Sequence, residues 1–131
     1  MEKKGEKNPL CLLRDIYRLI REFEIDFQQK HDLCLNEGMA VCSLKNGQMT
    51  SSDLANRLGL SASNMSKVLR AIEDKKLVER MLGEEDKRQM YFTLTETGFK
   101  KLGEMACEQN EMLQVLEMIY KTKEYSTKAI L

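Results

Sequence analysis

The chain has 131 residues, of which 42% are hydrophobic and 32% charged, enough for one domain with a real core and too apolar for a disordered chain. Its formal net charge is zero, so whole-chain charge gives no support to nucleic-acid binding, and any such case must rest on local distribution. A single proline, no tryptophan and frequent Leu, Met, Lys and Glu favour a mostly helical fold.

The first residues, Met1 to Asn8, are charged and polar and predict a solvated arm rather than a signal peptide. No segment has the length of apolar sequence a bilayer span needs. Apolar residues then recur at helical spacing: Leu10, Leu13, Ile16, Tyr17, Ile20, Phe23 and Phe27. This predicts a long amphipathic first helix. A break is expected at His31 to Asn36, and a second helix near Glu37 to Leu44, stopped by Asn46-Gly47.

The next stretch is the most informative. Ser51 or Ser52 can cap a helix through Leu54, Ala55 and Leu58. Gly59 supplies a turn, Leu60 plugs the space between two helices, and Ser61 caps the next one. That helix is expected from about Ala62 to Asp74, with Met65, Val68, Leu69 and Ile72 inward. Ser63, Asn64, Ser66, Lys67 and Arg70 cover its other face. Small polar and basic residues, in place of Glu–Lys ladders, suit a helix inserted in a groove. Lys75 to Met81 turns into a short strand, Gly83 to Arg88 is a polar loop, and Met90 to Leu94 has strand character. Strand, loop and strand directly after a helix-turn-helix make a hairpin wing. Thr95 can cap a last long helix with Leu102, Met105, Ala106, Leu113, Leu116, Ile119 and Tyr120 on its apolar stripe.

From Leu54 to Gly98 the chain resembles the MarR family (multiple antibiotic resistance regulators). The matching residues are Ser52 to Ser61, the Lys75 to Arg80 exit, Asp86-Lys87-Arg88-Gln89-Met90, and Leu94-Thr95-Glu96-Thr97-Gly98. The Asp-x-Arg wing closed by Leu-Thr-x-x-Gly is the most specific of these. The resemblance implies a mainly α fold with a small β-wing, a winged helix-turn-helix flanked by N- and C-terminal dimerisation helices. It places dimerisation helices at residues 9–35 and 99–131 and a DNA-binding lobe at 36–98, in one domain. It implies a homodimer that binds double-stranded DNA as a transcription regulator, usually a repressor, released by a small-molecule effector or an oxidant. The 62–74 helix would enter a major groove, and Arg88 would reach the adjacent minor groove with Asp86 bracing the loop.

The residue chemistry is compatible with those roles. Lys67 and Arg70 lie about one turn apart and can bond phosphates or guanine edges. Asn64 can pair with adenine, while Ser63 and Ser66 let the backbone approach. The DNA-contact set is therefore Ser61, Ser63, Asn64, Ser66, Lys67, Arg70, Asp86, Lys87 and Arg88. Arg57 and Lys76 are as readily solvated charges as phosphate contacts. Against a basic wing tip stand Glu84 and Glu85. Zero net charge also keeps open a winged helix that docks to protein instead of DNA.

The cysteines Cys11, Cys34, Cys42 and Cys107 lack CxxC spacing and read as free thiols of a cytoplasmic protein. Some members of the family sense oxidants through a cysteine near the start of the first helix, where Cys11 lies. Cys11 is otherwise a small buried hydrophobe with Arg14 as its i,i+3 neighbour. His31, Cys34 and Glu37 form only a loose metal-ligand set, and a lone loop histidine is ordinarily a surface residue. No metal or cofactor is expected. The methionines, Met39, Met65, Met81, Met90 and Met105 among them, are most simply core fillers. Nothing resembles a catalytic arrangement: there is no paired Ser/His/Asp set, and Gly59 and Gly83 are isolated, without a phosphate loop.

Overall fold

The computed structural model describes residues 8–106 and 117–118. Two units are distinguished: Asp26–Cys107, and Met1–Ile25 together with Glu108–Leu131. The expected stripe through Leu113, Leu116, Ile119 and Tyr120 lies outside the described residues. So do Cys107 and the charged arm at residues 1–7. No described helix is long and apolar enough to cross a membrane.

The elements run α1 (Pro9–His31), α2 (Leu35–Ser43), β1 (Met49–Thr50), α3 (Ser51–Leu58), α4 (Ala62–Asp74), β2 (Val78–Leu82), β3 (Met90–Leu94) and α5 (Glu96–Ala106). A 3₁₀ turn, Leu44–Asn46, extends α2. The three strands form one antiparallel sheet in the order β1-β3-β2. Val78 pairs with Leu94, Arg80 with Phe92 and Leu82 with Met90, while Met49 pairs with Phe92. The two-residue β1 is too short to carry any alternation and is absent from the sequence-based expectation.

In the unit Asp26–Cys107, the core is built by faces of α2, α3 and α4 and one face of the sheet, with residues of the connecting segments. Leu33, Val41, Leu44, Leu54, Met65, Leu69, Ile72, Leu77, Val78, Phe92 and Leu94 are buried there. Local chemistry ends and starts the helices. Thr50, rather than Ser51 or Ser52, caps α3: its hydroxyl accepts from the Asp53 N–H at 3.1 Å, and Asp53 reaches back to the Thr50 N–H. This reciprocal box satisfies two donors that a helix start leaves open. Gly59 ends α3 at φ 70°, ψ 34°, the left-handed conformation that favours glycine. Ser61 caps α4 through the Asn64 N–H at 3.1 Å. Thr95 caps α5 by accepting from the Gly98 N–H at 3.0 Å.

Gly98 is required by close packing. A Cβ there would collide with the Leu77 carbonyl oxygen and press on Leu94. This gives the Leu-Thr-x-x-Gly motif a physical basis: Thr95 caps the helix and also donates to the Lys76 carbonyl at 2.6 Å, and Gly98 admits the backbone of the α4–β2 connection.

The junction before α2 differs from expectation. His31 is the last residue of α1 and is buried, its ring 4.7 Å from that of Phe27, so it is a packed aromatic rather than a loop histidine on the surface. Cys34 and Glu37 join in starting α2, with Glu37 Oε1 accepting from the Cys34 N–H at 2.8 Å. The methionines also divide. Met65 is fully buried, but Met39, Met81 and Met90 are exposed, so core filling accounts for only some of them.

In the other unit, the described part of α1 carries Leu10, Leu13, Ile16, Tyr17 and Ile20 at helical spacing, and all five are exposed.

Candidate nucleic-acid interface

Helix α4 has two chemically distinct faces. Met65, Leu69 and Ile72 are buried and Val68 half-buried, while Ser63, Asn64, Ser66, Lys67 and Arg70 are all exposed. Positions 63, 66, 67 and 70 are spaced three and four apart, so they share one face. Neither Lys67 nor Arg70 has a hydrogen-bond or ion-pair partner among the described residues. Asp74 lies four residues beyond Arg70, the spacing of a helical ion pair, yet the two are not joined. Ser61 stands at the start of the same surface, its hydroxyl used in the cap.

The wing tip is organised by one carboxylate. Asp86 Oδ1 accepts from the Arg88 N–H at 3.0 Å and from Arg88 Nε at 3.2 Å. Backbone bonds from Gly83 N to the Gln89 carbonyl and from Gln89 N to the Asp86 carbonyl close the loop. A Cβ on Gly83 would lie 2.7 Å from the Asp86 carbonyl oxygen and from the Tyr91 ring, so this tight turn needs glycine. Arg88 remains 93% exposed despite its ion pair. Asp86 thus aims the guanidinium outward without covering it. Lys87, Glu84 and Glu85 are also exposed.

The expected contact residues therefore fall on two surfaces of the unit Asp26–Cys107, the open face of α4 and the wing tip. The Arg57 and Lys76 side chains are exposed and have no hydrogen-bond or ion-pair partner among the described residues. Arg57 lines an open polar groove of about 600 Å³ with Asn46, Gln48, Asp53 and Asn56. Cys11 is half-buried on α1, and its neighbour Arg14 is engaged by Asp15 at 3.2 Å. Burial pushes the Cys34 thiol above its ordinary range, which disfavours the reactive thiolate.

Other charges hold the lobe together, and residue spacing gave no sign of them. Lys75, at the C-terminal end of α4, donates to the Asp32 carbonyl at 2.6 Å and to Glu37 Oε2 at 3.2 Å. Lys101 on α5 donates to the His31 carbonyl at 3.3 Å. Two lysines distant in sequence thus satisfy carbonyls that the end of α1 leaves unpaired. Burial alone would raise the Glu37 pKa, but the bonds from Cys34 and Lys75 outweigh it and hold the carboxyl below its ordinary value.

A helix, a tight turn, a second helix with an open polar face and an antiparallel hairpin define a winged helix-turn-helix protein. The MarR family model matches residues 38–90, from α2 to the start of β3. The HTH-type transcriptional regulator SarZ of Staphylococcus haemolyticus (strain JCSC1435) is 30% identical over 94 residues, covering 70% of this chain and 63% of SarZ. The chain thus spans less than two thirds of that relative. Among solved structures, S. aureus MepR in its DNA-binding conformation is similar with a TM-score of 0.75 and 25% identity, covering 95% of this chain and 97% of MepR. The S. aureus MepR–DNA complex gives a TM-score of 0.67 at 22% identity, covering 93% and 99%, a likeness of fold. Residues 38–90 thus match the MarR family, and the relative from Staphylococcus haemolyticus is named as a transcriptional regulator.

Proposed function

We propose that this chain is a homodimeric transcription regulator that binds duplex DNA and acts as a repressor. The observation that carries the proposal is the open face of α4. It holds two cations without partners, beside small polar side chains, on a helix whose other face is locked into the core. Lys67 and Arg70 would contact phosphates or guanine edges in the major groove, and Asn64 an adenine. Arg88, aimed by Asp86, would enter the adjacent minor groove, where a narrow groove concentrates negative potential. SarZ is named as a transcriptional regulator, and MepR has been solved with DNA, which supports the proposal.

The exposed apolar face of α1, Leu10, Leu13, Ile16, Tyr17 and Ile20, would be covered by a second copy. A two-fold dimer would present two α4 helices about 34–36 Å apart to a pseudo-palindromic operator. Release would come from a small molecule, or from an oxidant at Cys11, that favours a dimer shape mismatched to that spacing.

Selection of bound duplexes from a random pool, at two salt concentrations, tests the proposal. The expected result is an enriched pseudo-palindrome with half-sites about one helical turn apart and a steep salt dependence. No enrichment at low salt would reject it in favour of a wing that docks to protein, for which the exposed Met81, Leu82 and Met90 offer an apolar surface.

A further inference from the structure

Glu73, in the last turn of α4, is paired outside its own helix. Its Oε2 accepts from Arg80 Nε at 2.8 Å. Arg80 stands on β2, and its guanidinium carbon lies 5.5 Å from the ring centroid of Phe92, the residue directly across the ladder. Phe92 is buried, so the guanidinium is held between a carboxylate on α4 and an aromatic ring anchored in the core.

These contacts sit where the wing leaves the core. The α4–β2 connection is closed by backbone bonds from Leu77 N to Ile72 and from Thr95 N to Leu77, which fix where β2 begins. Past Val78, every residue of β2 is exposed, and the distal pair Leu82 and Met90 is exposed as well. Over that stretch, Arg80 is the β2 side chain whose polar bond reaches α4.

We propose that Glu73 and Arg80 are positioning residues that set the distance between the open face of α4 and the wing tip. Glu73, three residues beyond Arg70, borders the open face of α4 but is engaged by Arg80, and neither residue is among the expected contacts Ser63, Asn64, Ser66, Lys67 and Arg70. They act by fixing how the hairpin leans, and so the separation at which α4 and Arg88 meet adjacent grooves. The functional consequence rests on the DNA-binding reading above; the geometry does not.

The distance is measurable directly. Spin labels on Ser66→Cys and Lys87→Cys, in a chain with its four cysteines replaced by serine and diluted into unlabelled protein, report the separation of α4 and wing by pulsed electron resonance. A single narrow distribution is expected in the parent. Glu73→Gln and Arg80→Met should each broaden or displace it with only a small drop in the unfolding midpoint, because the pair is half-exposed. A distribution unaltered in both variants overturns the proposal.

Binding to the selected duplex supplies the second arm. Both variants should weaken it, by up to about fivefold, with the salt slope unaltered, since no phosphate contact is lost. A loss confined to Arg80→Met, with the slope lowered by about one unit, would make Arg80 a direct phosphate contact and reject its positioning role. If the parent selects no duplex, the DNA-binding reading fails, and the distance measurement still decides whether the pair sets the wing.

Discussion

Apart from the exposed Asp74, the charges along α4 and at its C-cap fall into two groups. Toward its C-terminal end, Glu73 and Lys75 are each paired with another element, Glu73 with Arg80 on β2 and Lys75 with Glu37 on α2. Over the preceding two turns, Lys67 and Arg70 point to solvent without a partner. The first group joins α4 to the lobe. The second makes no such link. Composition cannot separate the two, because both consist of ordinary charged residues at helical spacing. What separates them is whether another element arrives opposite.

The contrast is sharpest against the buried face. Leu69 is 2% exposed and packs on the side opposite Lys67 and Arg70. Leu69→Ala should cost about 3 kcal/mol, the sum of lost transfer energy and an unfilled cavity. Denaturant unfolding followed by circular dichroism would measure it. A cost below about 1 kcal/mol would mean that α4 is not anchored by this face.

The paired end is tested by Glu37→Gln. The Glu37 side chain is 9% exposed and its partner Lys75 35%, between the buried and the surface limits. Breaking the pair should therefore cost about 2 kcal/mol at neutral pH, less than for a fully buried pair. The sign of the pH dependence follows from the shift. Glu37 is held below its ordinary value of 4.5, so its stabilisation is complete above that value and is lost as pH falls through the lowered one. The gap between wild type and Glu37→Gln should thus be widest near neutrality and close on acidification below about pH 4.5. A gap independent of pH would mean that the carboxylate charge is not what holds this junction.

Ser61→Ala comes next, at about 1 kcal/mol, the usual cost of a lost helix cap. It removes the acceptor of the Asn64 N–H at the start of the open face. It should lower the thermal midpoint while leaving the salt slope of DNA binding unchanged. A lowered slope would show that the hydroxyl had oriented a phosphate contact as well.

How much of this was legible in the sequence depends on the range of the interaction. The span of α4, the strand Met90–Leu94, the Gly59 turn and the Ser61 and Thr95 caps are local events encoded within a few residues, and periodicity with cap chemistry marks them. The cap of α3 lies one or two residues before the expected Ser51 or Ser52, because Thr50, Ser51 and Ser52 are all competent caps and only the reciprocal bond with Asp53 selects Thr50. The burial of His31 and the grip of Lys75 and Lys101 on the end of α1 join residues 43 and 70 positions apart. No local pattern announces them. For the candidate interface, the sequence offered the exposed polar face and the Asp86–Arg88 brace, two residues apart. It had no means of showing that Lys67 and Arg70 stay unpaired while Lys75 and Arg80 do not, since that depends on which elements pack against each end of α4.

The smallest effect on folding is expected for Lys67→Ala and Arg70→Ala, and it is the one that tests the contrast most directly. An exposed cation without a partner contributes within about 0.5 kcal/mol to stability, so both variants should unfold with the wild-type midpoint. Each should nonetheless weaken duplex binding. If the contact is to phosphate, the salt slope falls by about 0.9 per residue, because one fewer counterion is released. If the contact is to a base edge, affinity falls by about 1–3 kcal/mol at the matched sequence while the slope holds and preference at one base pair relaxes. Titration of the matched and one mismatched duplex at two salt concentrations distinguishes these outcomes residue by residue. Wild-type binding in both variants would mean that the unpaired face of α4 is not the DNA-reading surface.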